Sequence, residues 1–169
     1  MRNITFKNIY VEVPATKADA GYRYEGPIED LPRNISPASI VGSTYGDILN
    51  ITLKNVEIHY PGGGDPKYAY RGTSDKELSS IPEMLTAYPE FSQFKELPAW
   101  GFYIRHARNI IFDEVSLYIE KCDYRPALVA FDAFGVWMAG VLTQMPRKCK
   151  KTVHTFIIKD HFCINDYNE

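Results

Sequence analysis

Apolar and polar residues alternate along this chain in short runs, and the same interruption of the alternation recurs in each run. Three segments superimpose without gaps: Asn3-Ile4-Thr5-Phe6-Lys7-Asn8-Ile9-Tyr10-Val11, Asn50-Ile51-Thr52-Leu53-Lys54-Asn55-Val56-Glu57-Ile58, and Asn109-Ile110-Ile111-Phe112-Asp113-Glu114-Val115-Ser116-Leu117. A weaker fourth copy runs Gly135-Val136-Trp137-Met138-Ala139-Gly140-Val141. Counted from the first apolar residue, the core-type positions fall at offsets 0, 2, 5 and 7. Steps of two are the strand period, in which alternate side chains share a face. The step of three between offsets 2 and 5 predicts a bend that keeps both halves of the strand facing one interior.

A second set of short apolar strands precedes the copies. Phe102-Tyr103-Ile104-Arg105 leads into the third copy, Leu128-Val129-Ala130-Phe131 into the fourth, and Phe156-Ile157-Ile158-Lys159 toward Phe162-Cys163-Ile164. Their spacings, 26 and 28 residues, are those of a solenoid in which each turn needs neighbours to bury its face. The earlier copies lie 47 and 59 residues apart, which predicts insertions on one side of the stack, the longest over about residues 60–100. The later copies leave no amphipathic helical window between them. The most helix-like stretch, Lys76–Ala87, falls inside the long insertion.

The repeated asparagine has its own role in such a stack. Asn3, Asn50 and Asn109 are expected one above another, about 4.8 Å apart, with their side-chain amides bonded along the column. Asn8 and Asn55 predict a second column, which Glu114 interrupts.

Composition narrows the function classes. The 169 residues are 45% hydrophobic and 24% charged, as in a globular domain, and 14% aromatic with 12 tyrosines, which suits pleated surfaces. A formal net charge of −2 argues against nucleic acid held by bulk charge, and the basic run Arg147-Lys148-Cys149-Lys150-Lys151 reads as a solvated turn. No segment approaches the roughly 18 apolar residues of a membrane span, and Met1-Arg2-Asn3-Ile4-Thr5-Phe6 enters strand pattern with no apolar leader. Three cysteines, Cys122, Cys149 and Cys163, cannot all pair with one another and define no disulfide framework. Cys149, His154, His161 and Cys163 are zinc-type residues, but their spacing fits no compact site, and no metal or cofactor is expected. Gly62-Gly63-Gly64 lacks the Lys-Ser/Thr that a phosphate loop needs.

Longer blocks carry a resemblance. Arg33-Asn34-Ile35-Ser36-Pro37-Ala38-Ser39-Ile40-Val41-Gly42, Leu97-Pro98-Ala99-Trp100-Gly101-Phe102-Tyr103-Ile104-Arg105-His106-Ala107 and Asp123-Tyr124-Arg125-Pro126-Ala127-Leu128-Val129 resemble the polygalacturonase-like family, glycoside hydrolase family 28. The similarity covers Arg2 to about Val141 and weakens over the tail. It implies an all-β chain, a right-handed single-stranded parallel β-helix of the pectin-lyase-like type. It also implies inverting hydrolysis of pectic or related plant polysaccharide. That chemistry needs one protonated carboxyl and one carboxylate about 6.5–9.5 Å apart. The family's Asn-Thr-Asp, Asp-Asp, Gly-His-Gly and Arg-Ile-Lys motifs do not occur in this sequence. Residues 1–169 are therefore expected to be the C-terminal coils of one β-helix domain, with no catalytic residue among them and no hydrolysis by this chain alone. Relatives are exported, which implies a periplasmic or secreted full-length protein, and the expected partner is a polysaccharide or oligosaccharide. The rival reading is a carbohydrate-binding or structural β-solenoid without catalysis.

Site candidates follow from strand parity. On Phe102–Arg105, Phe102 and Ile104 should point inward, leaving Tyr103 and Arg105 on the outer surface that forms the substrate groove in this architecture. Arg105 could grip a uronate carboxylate, although an outward arginine also serves to pin a loop. Trp100 and Tyr103 are the aromatic groove candidates. Tyr68, Tyr70, Tyr88, Phe91 and Phe94 read as packing for the insertion. His106, Asp132 and Asp160 occupy equivalent positions past successive strand ends, and read as polar corner residues before a proton-transfer or cation site. The substrate-binding expectation is thus Trp100, Tyr103, Arg105 and His106.

Overall fold

A computed structural model describes residues 1–15, 33–83, 85, 94–149 and 156–159. In chain order these hold β1 (Arg2–Glu12), β2 (Ala38–Val41), β3 (Ile48–Gly62), α1 (Asp75–Ser79), β4 (Phe102–Lys121), β5 (Leu128–Ala139), β6 (Leu142–Gln144) and β7 (Phe156–Lys159). All seven strands join one parallel sheet in the order β1-β3-β4-β5-β7, with β2 and β6 also pairing with β4. The sheet is mostly tiers of long, bent strands. β2 and β3 share one tier above β4, and β5 and β6 share the tier below it.

The repeat copies fall in register. Ile4, Ile51, Ile110 and Val136 stand in one column, and Phe6, Leu53, Phe112 and Met138 in the next. Past the bend, Ile9, Val56 and Val115 form a third column and Val11, Ile58 and Leu117 a fourth. The second- and third-tier members of all four columns are buried and build the main core. Each fully buried aliphatic side chain there stabilises by about 1.5–3 kcal/mol. The first tier has nothing above it among the described residues. Phe6 is 44% exposed, although the Leu53 and Phe112 of its column are buried.

The bends have a clear backbone cause. Asn3, Asn50 and Asn109 have φ of 59°, 57° and 56°, and Asn8, Asn55 and Glu114 have 56°, 50° and 57°. In the fourth tier the same positions are Gly135 and Gly140, at 68° and 62°. This left-handed region strains most L-residues, and asparagine and glycine enter it at least cost. The bend predicted between offsets 2 and 5 is the Asn8 column. The Asn3 column is a further bend that apolar spacing alone does not reveal. Both columns bond as expected. Asn50 donates Nδ2 to Asn3 Oδ1 at 2.7 Å, Asn109 to Asn50 at 3.0 Å, and Asn55 to Asn8 at 2.9 Å.

Two expectations change. Among the described residues of the helix-like stretch Lys76–Ala87, helix is confined to α1, Asp75–Ser79, capped by Ser74 and Glu77 in a reciprocal box. Pro82 explains the early stop, because the residue before a proline is steered out of helical geometry. Cys122 and Cys149 form a disulfide with a Cα–Cα distance of 5.2 Å, joining the end of β4 to the segment after β6. The odd cysteine count hid this pair. Cys163, His154, His161, Asp160, Tyr88 and Phe91 lie outside the described residues.

Candidate functional site

The strand segment Phe102–Arg105 has the predicted parity, but its outer face is covered. Phe102 and Ile104 enter the main core. Tyr103 turns outward and packs with Val129 against Leu78, Ile81, Leu97 and Ala99 of the insertion, forming a second apolar cluster. Phe94 packs against it, whereas Tyr68 and Tyr70 remain exposed. Tyr103 is 0% exposed and Trp100 1%, so the insertion occupies the space where an open groove was expected. Burial pushes the Tyr103 phenol up to about 12, partly offset by the Arg105 charge. Among the described residues, Tyr103 Oη and Arg105 Nε are both buried without a hydrogen-bond partner. Trp100 contacts the ring edge of Tyr60, whose hydroxyl donates to the Gly101 carbonyl at 2.7 Å.

Arg105 and His106 hold the insertion down. Arg105 Nη1 donates to the Ile81 carbonyl at 2.8 Å, and Nη2 lies 3.4 Å from Glu83 Oε1. His106 Nε2 lies 3.0 Å from the same oxygen. Its Nδ1 lies 2.5 Å from Asp132 Oδ2 in the tier below. His106 and Asp132 are also left-handed, at φ of 48° and 50°, so the expected corner column is a third bend. Burial pushes the Glu83 carboxyl up, but hydrogen bonds from Thr44 and the His106 contact outweigh it and hold the group below its ordinary value. The arrangement bridges two tiers and a loop through one imidazole.

The Asp123-Tyr124-Arg125 block forms a buried polar knot between β4 and β5. Arg125 donates Nε to Asp123 Oδ1 and Nη2 to Asp123 Oδ2, both at 2.9 Å. Arg125 Nη1 lies 3.5 Å from Glu96, which also accepts from Tyr124 Oη at 3.0 Å and from the Asn34 amide at 2.7 Å. Burial works against the Arg125 charge, yet Asp123 and Glu96 outweigh it and raise its affinity for the proton. Burial, then Glu96, pushes the Tyr124 phenol upward. Gly64 permits the knot: a Cβ there would sit 2.3 Å from an Asp123 carboxylate oxygen. All three quoted long blocks meet around this knot and the covered strand face.

A surface that the parity argument passed over remains open. Phe134 is 47% and Trp137 42% exposed on β5, and Ile111 is exposed beside Trp137 in the same column. The Arg108 guanidinium carbon lies 6.0 Å from the Phe134 ring centre, and Arg108 pairs with Asp47. The legible signal was apolar residues at an outward offset. The position is Thr5 and Thr52 in the first two tiers but Ile111 and Trp137 in the next two. At the far end of the strands, Glu12, Val13, His59, Tyr60 and Glu120 line a shallow depression that contains none of the residues named from sequence. Among the described residues, no group of three or more His, Cys, Asp or Glu is placed to hold a metal ion, and no helix is long and apolar enough to cross a membrane. Comparison with protein-family models, with curated proteins and with solved structures finds no match to this chain.

Proposed function

We propose that this chain is the C-terminal part of a polygalacturonase-like, inverting glycoside hydrolase of family 28, built as a right-handed parallel β-helix whose catalytic aspartates lie in other coils. The observation that carries the reading is the registered parallel stack of strands bent at left-handed asparagines. Support also comes from the long blocks that resemble that family, which converge on the Asp123–Arg125–Glu96 knot and the covered strand instead of scattering over the surface. In this reading the coils extend and cap the scaffold. Tyr103, Arg105 and His106 anchor the insertion over this face, Trp100 packs in the core beneath it, and sugar contact falls to exposed aromatics. The Cys122–Cys149 bridge suits an oxidising compartment, in line with a periplasmic or secreted protein.

The test is incubation of the purified 169-residue chain with polygalacturonate. No reducing sugar should be released. Fusing the chain to coils that carry Asn-Thr-Asp, Asp-Asp and Gly-His-Gly, encoded upstream in the same reading frame, should give activity. Hydrolysis by the isolated chain would overturn the assignment of catalysis to other coils, and a native gene with no such upstream motifs would overturn the enzyme reading.

The exposed pair Phe134 and Trp137 favours a second reading, a carbohydrate-binding solenoid without catalysis. Flat apolar rings present faces on which pyranose C–H groups stack. Retardation of the chain in polygalacturonate-containing gels, abolished by Trp137→Ala and Phe134→Ala, with no activity in any fusion, would select it.

A further inference from the structure

The first asparagine ladder stops one rung short inside the sheet. Each asparagine donates Nδ2 to the tier before it, from Asn109 to Asn50 and from Asn50 to Asn3. The next member of the column is Gly135, so Asn109 Oδ1 receives no ladder donor. A Cβ on Gly135 would stand 3.0 Å from that oxygen, so the space for a fourth rung lies directly against it. This notch sits between β4 and β5, two described tiers, and owes nothing to where the sheet begins or ends.

Two exposed rings flank the notch. Phe134 immediately precedes Gly135, and Trp137 follows it by two residues. Ile111, beside Trp137 in the third tier, is exposed as well, although strands pair with it on both sides. Apolar area with a few well-placed polar atoms is the usual make-up of a ligand site. A sugar ring matches both parts. Its C–H face covers an aromatic ring, and a hydroxyl can donate to Asn109 Oδ1 where the asparagine rung is missing.

The charges around the notch select the class of sugar. Arg108, beside the Phe134 ring, gives its Nε to Asp47, and Lys54 is paired with Asp113. Asp132 pairs with His106, and Glu114 stands exposed in the third tier. Arg2 and Lys7 belong to the first tier, three strand spacings of about 4.8 Å away. That exceeds the screening length of about 8 Å at physiological salt. A carboxylate pressed onto these rings would lose hydration and meet no free cation. We propose that the notch at Gly135, between Phe134 and Trp137, binds an uncharged pyranose, one of whose hydroxyls donates to Asn109 Oδ1 in place of an asparagine rung. The proposal rests on the reading that sugar contact falls to exposed aromatics, and adds to it a polar partner and the charge of the sugar. Within an acidic polysaccharide, esterified or neutral residues meet the requirement and free uronates do not.

Affinity electrophoresis of the full chain compares gels containing polygalacturonate with gels containing its methyl ester. The ester should retard the chain about fivefold more strongly at low salt, and the difference should shrink as salt is added. Gly135→Asn supplies the missing rung. Its backbone is left-handed like that of Asn109, so the fold should persist, while retardation by the ester falls about tenfold. Trp137→Ala should abolish the retardation, and thermal melts confirm that both variants are folded. Retardation as strong in the free acid would overturn the uncharged class, and retardation untouched by Gly135→Asn would overturn the notch. With Trp137→Ala still effective, either result leaves the sugar-contact reading in place. No retardation in either gel, or retardation indifferent to Trp137→Ala, would overturn that reading together with the proposal.

Discussion

Asn109 donates its side-chain amide to Asn50 Oδ1 across 3.0 Å, and both residues hold their backbones at positive φ. One residue type thus meets two demands: it tolerates the bend and bonds along the stack. The two contributions separate by mutation. Asn50→Ala loses both ladder bonds and places a Cβ in the left-handed region, and should destabilise by about 2 kcal/mol, since the bonds are exposed and partly replaced by water. Asn50→Gly loses the bonds but keeps the bend, and should cost about half as much. Urea unfolding of the two variants measures the difference, and equal losses would deny the bend its share.

Glu114 occupies a ladder position with neither advantage. Its φ is 57°, and it stands below Asn55, whose Oδ1 receives no ladder donor. Glu114→Asn should stabilise the fold by about 1 kcal/mol by relieving strain and extending the second ladder. For a chain of this size that raises the melting temperature by about 2–4 °C. A calorimetric scan that shows no rise would count against the ladder as a source of stability.

Glu83 links the insertion to the stack through Thr44, Arg105 and His106. Its carboxyl titrates lower in the folded chain than in the unfolded one. Its contribution is therefore fully present above the unfolded value of about 4.3 and is lost as pH falls through the folded value. Stability measured from pH 6 down to pH 3 should decline, and Glu83→Gln should flatten that decline. An unchanged slope in the variant would assign the acid sensitivity to other carboxylates.

The Cys122–Cys149 bridge closes a separation of 27 residues. Chain-entropy reasoning gives about 3.5 kcal/mol for a loop of that length. Reduction, or paired Cys122→Ser and Cys149→Ser substitution, should lower the unfolding free energy by an amount of this order. Denaturant curves with and without reductant provide the check, and coincident curves would show that the bridge adds no stability.

The apolar offsets made the strands, their parallel stacking and both asparagine columns legible, because each depends on residues close in sequence and repeated at fixed spacing. The Asn3 bend escaped because it follows the residue's tolerance of left-handed geometry and leaves no mark on the apolar count. Parity gave the direction of Tyr103 and Arg105 correctly, but could not give their surroundings. Those depend on where Leu78, Ile81 and Leu97 fold back, a non-local choice with no periodic signature. Arg125 is a buried ion-pair centre that local pattern does not reveal, since one of its two carboxylate partners, Glu96, lies far away in sequence and the block carries no periodic signal. Trp137 lay in the weakest copy and Phe134 just before it, where outward apolar residues were the one available clue.

The unequal spacing of the tiers also bears on how the chain reaches its fold. The facing pairs Asn3–Asn50 and Asn50–Asn109 are 47 and 59 residues apart, while Phe102 pairs with Leu128 across 26. Closing the longer of these loops costs about 0.7 kcal/mol more than closing the shorter, before any contact rewards it. We predict that β4 and β5 dock first and that β1 and β3, whose pairing with each other closes a shorter loop than the pairing of β3 with β4, join this seed afterwards as a unit. Pulse-labelled hydrogen exchange during refolding should protect Phe102–Phe112 before Arg2–Glu12.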